Sequence, residues 1–83
     1  MKTVHSFKKG DEVTIFQMHP SKGLVIEGAA TVRALVKDVD EQYQVQFVGD
    51  ADNDWYERFI DRQGQENPPK YVREFNKRIG IAA

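Results

Sequence analysis

Asp50, Asp52 and Asp54 alternate directly before Trp55 and Tyr56 in the stretch GDADNDWYERF, a concentration of carboxylates and rings in an 83-residue chain. Two chemistries use such a grouping. Counted from Asp50 as position 1 of a twelve-residue loop, Asp52 falls at 3, Asp54 at 5 and Asp61 at 12, the oxygen spacing of a calcium loop. The sixth position of that loop must turn sharply and is normally glycine. Here it is Trp55, and residues 55–60 read as strand, so neither a metal nor a cofactor is expected. The second chemistry is cation recognition. Ring faces attract ammonium or guanidinium groups by about 0.5–2 kcal/mol, and nearby carboxylates add attraction and faster encounter. The expected site is Asp50, Asp52, Asp54, Trp55 and Tyr56, with Phe16 as a further ring, and the expected partner is a protein or peptide, cationic in character. The same residues have a plainer reading, in which Trp55 or Tyr56 is core and the aspartates solvate a turn, because aromatics dominate core energetics.

A second surface is basic. Lys70, Arg73, Lys77 and Arg78 cover part of one helical face, and Lys8, Lys9 and Lys22 precede or follow the first strand. Phosphate neutralisation by such groups would hold nucleic acid, the alternative function. The charged outer face of an amphipathic helix looks the same, and the chain's pI near 6.1 favours that reading. Catalysis has few carriers. His5 and His19 are isolated, without Ser-His-Asp order or metal-ligand spacing. Asp38, Asp40 and Glu41 fall in an expected exposed turn, where nothing raises one carboxyl's pKa for acid catalysis. Gly23 to Gly28 lacks the Lys-Ser/Thr pair of a phosphate loop. The chain is therefore read as non-enzymatic.

Length and composition set the frame for these sites. A domain of this size buries only about 60% of its unfolded surface, which allows one small core over residues 1–83. Zero cysteines remove disulfides and thiolate sites, and the apolar runs are too short to cross about 30 Å of hydrocarbon. The start, Met1 to His5, runs into charged residues without a secretory leader, so a cytoplasmic protein is expected. Charge is divided along the chain. Residues 1–36 are net +2, residues 37–61 net −6 and residues 62–83 net +3, which marks either two contact surfaces or ordinary self-complementation.

The positioning elements follow from periodicity. Val13 to Met18 has the β-branched and aromatic content of a strand, ended by His19-Pro20-Ser21-Lys22-Gly23. Leu24 to Lys37 is long, and Glu27-Gly28-Ala29-Ala30 predicts a bulge or bend dividing it into two strand segments. Tyr43, Val45 and Phe47 alternate with glutamines, the period of a half-buried strand. Trp55 to Ile60 alternates without deciding its buried face. Outward Gln42, Gln44 and Gln46 form an uncharged strand face, on which self-association is conceivable. Asn67 and Pro68 predict the start of a helix over 68–79, with Tyr71, Val72, Phe75 and Ile79 on its apolar stripe and Gly80 beyond its end.

This order of short strands and one closing helix favours a mainly β fold, a small bent five-stranded barrel over about 7–61 with a C-terminal α-helix. The stretches KKGDEVTIF, GLVIEGAATVRALV and YQVQFVGD resemble the opening of Tudor and KOW modules, small Src-homology-3-like barrels. That resemblance implies a binding module: Tudor modules bind methylated lysine or arginine beside the loop after the third strand, and KOW-type barrels hold RNA.

Overall fold

Segments rich in valine, isoleucine, threonine and aromatic residues form four strands in the computed structural model, which describes residues 2–81. They are β1 (Glu12–His19), β2 (Gly23–Leu35), β3 (Gln42–Phe47) and β4 (Trp55–Phe59), all antiparallel in the order β1-β2-β3-β4. Two helices follow, α1 (Arg62–Glu66) and α2 (Lys70–Ile79). The expected five-stranded closed barrel is thus corrected to an open four-stranded sheet. The long central segment is one 13-residue strand, because bulges absorb its bend without breaking the ladder. Glu27 is the extra residue where Ile15 pairs Gly28 and Phe16 pairs Ile26, and Arg33 is extra where Val32 pairs Val45 and Ala34 pairs Gln44.

The core is one face of that bent sheet. Val13, Ile15, Ala30, Val32, Tyr43 and Val45 alternate inward, joined by Ile60 and flanked by Phe7 and Phe47. Tyr43 is fully buried, yet its hydroxyl is satisfied: it donates to Glu41 Oε1 at 2.7 Å and accepts from Phe7 N at 3.1 Å. Glu41 also accepts from Ser6 N and Ser6 Oγ, at 2.6 and 2.7 Å, so one carboxylate ties the N-terminal segment over the core. Burial acts first to raise the Glu41 pKa, but the hydrogen bonds from Tyr43 and Ser6 outweigh it and leave the carboxyl below its ordinary value. Burial and then this carboxylate raise the Tyr43 hydroxyl.

Helix α1 occupies the outer edge of β1, where a closed barrel would place another strand. The Gln65 amide accepts from Thr14 N at 3.0 Å and donates to Thr14 O at 2.6 Å, imitating a neighbouring strand. Gly64 permits the approach, since a Cβ there would lie 2.6 Å from Phe16 Cζ. Asp61 caps the helix, accepting from Gln63 N at 2.9 Å. Sequence periodicity does not reveal a five-residue helix containing glycine, and α1 uses Asn67 as its C-cap. The expected helix over 68–79 therefore starts later, at Lys70, with Pro69 at the N-cap and no side-chain cap. Its end agrees with expectation: Gly80 adopts φ 85° and donates to the Asn76 and Lys77 carbonyls. Helix α2 is fixed by buried Val72 and two polar anchors, Thr14 Oγ1 to Asn76 Oδ1 and Tyr71 OH to Leu24 O.

Candidate functional site

The C-terminal half of α2, the bulge of β2 and the end of β3 meet around a groove of about 630 Å³. Phe47, Val48 and Tyr56 form one wall, Phe75 and Ile79 from α2 the other, and Glu27, Arg58 and Asp50 supply charge. Each wall has a local cause. Val48 follows half-buried Phe47 at the end of β3 and is 71% exposed, because the chain turns at Gly49 before another partner covers it. Ile79 ends the apolar stripe of α2 beyond the reach of the sheet and is half-exposed. Phe47 lies over the bulge, 3.2 Å from where a Cβ on Gly28 would stand.

Arg58 occupies the centre of the charged part. Its Nε and Nη2 donate to Glu27 Oε1 and Oε2 at 2.9 and 2.7 Å, a bidentate pair, and Nη1 donates to the Glu57 carbonyl at 2.8 Å. The guanidinium carbon lies 5.5 Å from the Tyr56 ring centre and 5.8 Å from that of Phe47. The Arg58 hydrogen bond holds the Glu27 carboxyl below its ordinary pKa, partly opposed by burial, and Glu27 in turn raises Arg58. The cation position over these rings is therefore filled from within the chain, leaving an apolar groove with a neutralised ion pair.

The acidic loop is organised by a glutamine. Gln46, buried although the alternation of β3 points it outward, donates to Ala51 O at 3.1 Å and Asp52 Oδ1 at 3.3 Å. Its own oxygen accepts from Arg33 Nε at 2.7 Å, so the Arg33 bulge, Gln46 and the loop form one chain of hydrogen bonds. The Trp55 indole N–H donates back to Asp52 O at 2.6 Å, which fixes the ring while leaving it 46% exposed. Tyr56 is 43% exposed. Both rings are thus displayed, and the reading that placed one of them in the core is corrected.

They are displayed on opposite faces of β4, however. Tyr56 and Asp50 line the groove, whereas Trp55 shares its face with Glu57 and Phe59. Phe16 meets neither Trp55 nor Tyr56: its ring packs against Gly64 and lines a second hollow with Phe59, Ile60 and Gln65. The single aromatic cluster of Phe16, Trp55 and Tyr56 with Asp50, Asp52 and Asp54 is not assembled, because residue alternation separates neighbours in a strand. Among the described residues, no three carboxylate or imidazole groups gather as metal ligands.

Lys70, Arg73, Lys77 and Arg78 are all exposed on α2, and Lys8 and Lys9 are exposed in the turn before β1. Glu74 sits among the helix cations, and Arg78 lies 6.0 Å from the Phe75 ring centre. His19 ends β1, its Nδ1 accepting from Ser21 N and Lys22 N of the following turn at 3.2 and 3.1 Å. The glutamine face does not lie on an edge, since β3 is paired on both sides. Sequence reasoning missed Val48, Arg58, Phe75 and Ile79 as groove residues; an apolar Val48 directly before a glycine turn was the available signal. Among the described residues, no helix is long and apolar enough to cross a membrane. Compared with protein-family models, curated proteins and solved structures, the chain matches none.

Proposed function

We propose that the protein is a non-enzymatic binding module that recognises a segment of another protein, using the groove between α2 and β3–β4 with the acidic loop as its rim. The observation that carries this reading is the shared exposure of Val48, Tyr56 and Ile79 around one apolar groove. Large apolar side chains grouped on a small protein mark contact surfaces, and ring anchors dominate interface energetics. The net −6 of residues 37–61 favours a basic partner and speeds its encounter. The resemblance to Tudor modules supports protein recognition as the mode.

Nucleic-acid binding through Lys70, Arg73, Lys77 and Arg78 is the competing reading, weakened by Glu74 within the basic face and by the acidic character of the chain. The test is an amide-shift NMR titration with peptides that combine lysine and apolar residues, run beside mixed-sequence RNA. Shifts clustered at Val48, Asp50, Tyr56 and Ile79, abolished in a folded Tyr56→Ala variant, are expected. RNA binding that falls steeply with salt, with shifts confined to α2, would replace this reading by the other.

A further inference from the structure

We propose that β4 is an open strand edge that receives an extended peptide, adding it to the sheet as a fifth strand, and that the peptide carries a lysine or arginine between two apolar residues of alternate register. This inference rests on the peptide-recognition reading above and names its mode and its ligand. The first ground is hydrogen bonding. Ile60 N donates to Glu41 O at 3.0 Å, which places the close pairs between β3 and β4 at 41/60, 43/58 and 45/56. The backbone groups of Tyr56 and Arg58 therefore face β3, and those of Trp55, Glu57 and Phe59 face outward. Consistent with this phase, Val36 N donates to Gln42 O at 2.9 Å, so Gln42 faces β2. Among the described residues, none accepts from the N–H groups of Trp55, Glu57 or Phe59. The Glu57 carbonyl accepts from Arg58 Nη1 and retains a second lone pair.

The two sheet edges differ in how they are protected. The other edge, at β1, is covered at Thr14 by the Gln65 amide. Strand β4 carries neither proline, bulge nor lysine, and its protection rests on its five-residue length and on the charge of Glu57. Its one cation, Arg58, is folded back onto Glu27.

The third ground is the side-chain face that travels with those outward groups. Trp55, Glu57 and Phe59 lie on one face and are exposed, Phe59 at 68%. Trp55 is held by its bond to Asp52 O, so a partner side chain meets a fixed wall. Glu57 has no ion-pair partner among the described residues. An incoming strand therefore finds an apolar, acidic, apolar row, complemented by an apolar, basic, apolar row directly opposite. A second copy centred on the same residue would set Glu57 against Glu57, a like-charge pair, so the charge pattern selects a basic peptide over self-pairing.

The probe is a soluble nonapeptide with a valine-lysine-valine centre at alternate positions, compared with the same peptide carrying glutamate for lysine. Hydrogen exchange followed by NMR should show fast-exchanging amides at Trp55, Glu57 and Phe59 in the free protein. On binding, these three amides should become protected by about tenfold or more, with Tyr56 and Arg58 protected throughout. The glutamate peptide should bind at least about fivefold more weakly, and Glu57→Lys, at an exposed position, should reverse that preference. Binding with shifts at the groove but no new protection on β4 would overturn strand addition while leaving peptide recognition standing. Failure of the lysine peptide to bind would overturn the proposal, as would protection that appears with protein concentration alone, which identifies self-pairing.

Discussion

Removing the Gln65 amide tests whether α1 closes the sheet. In Gln65→Ala, the Thr14 N–H and C=O lose both partners, at a residue that is only 1% exposed. A buried backbone group left without a partner costs about 1–3 kcal/mol, and the half-buried position of Gln65 lets water reach the vacated edge, so the lower part of that range applies to each. The expected loss is about 2–3 kcal/mol, a large share of the roughly 4–12 kcal/mol that a chain of this length commands. Urea unfolding followed by circular dichroism should show the midpoint falling by about 1–2 M with an unchanged slope. Gln65→Glu sharpens the test. Its carboxylate keeps an acceptor for Thr14 N–H but faces Thr14 O without a proton to donate. Once protonated, it donates again. Its folded-state pKa is therefore raised, so the restored stability is present below the ordinary value of about 4.3 and is lost as pH rises through the raised value. Measured against wild type at each pH, the deficit should grow from acid to neutral. A loss below about 0.5 kcal/mol in Gln65→Ala, or a flat pH profile in Gln65→Glu, would refute the claim that this amide stands in for a strand.

Gly64→Ala should cost about 1–3 kcal/mol by thermal unfolding, because its Cβ would meet the Phe16 ring at 2.6 Å. Glu41→Gln should destabilise the domain by releasing the charged bonds to Ser6 and Tyr43, and should expose the amides of Ser6 and Phe7 to exchange. In the wild type, Glu41 and Glu27 both have lowered folded pKa values, so their contribution is present above about 4.3 and is lost as pH falls through the lowered values; an acid titration of stability should show this loss reduced in Glu41→Gln. Tyr56→Ala and Trp55→Ala, both at exposed positions, should change stability by less than about 1 kcal/mol while Tyr56→Ala weakens peptide binding.

Much of the local structure was legible in residue order. The Tyr43-Val45-Phe47 alternation marks β3, Gly80 ends α2, and the Glu27-Gly28 stretch marks an irregularity in β2. The number of strands was not legible. A bend that splits a strand and a bulge that keeps it whole have the same composition, and only pairing with both β1 and β3 decides between them. Helix α1 escaped notice because its stability comes from Gln65 and Phe16 contacts across the sequence rather than from its five residues.

The site divides in the same way. That Trp55 and Tyr56 point to opposite faces follows from their adjacency in a strand, and the acidic loop with its charge excess is written directly in the chain. Their surroundings are another matter. Exposure depends on what the opposite side of the fold brings near: Arg58 reaches Glu27 across 31 positions, Ile79 and Phe75 arrive from α2, and Gln65 covers β1 at Thr14 while no described strand pairs with the outer side of β4. Periodicity is a property of neighbouring residues and fixes which side chains share a face. Which faces and edges remain uncovered depends on contacts between distant residues, and those arise only when the chain folds.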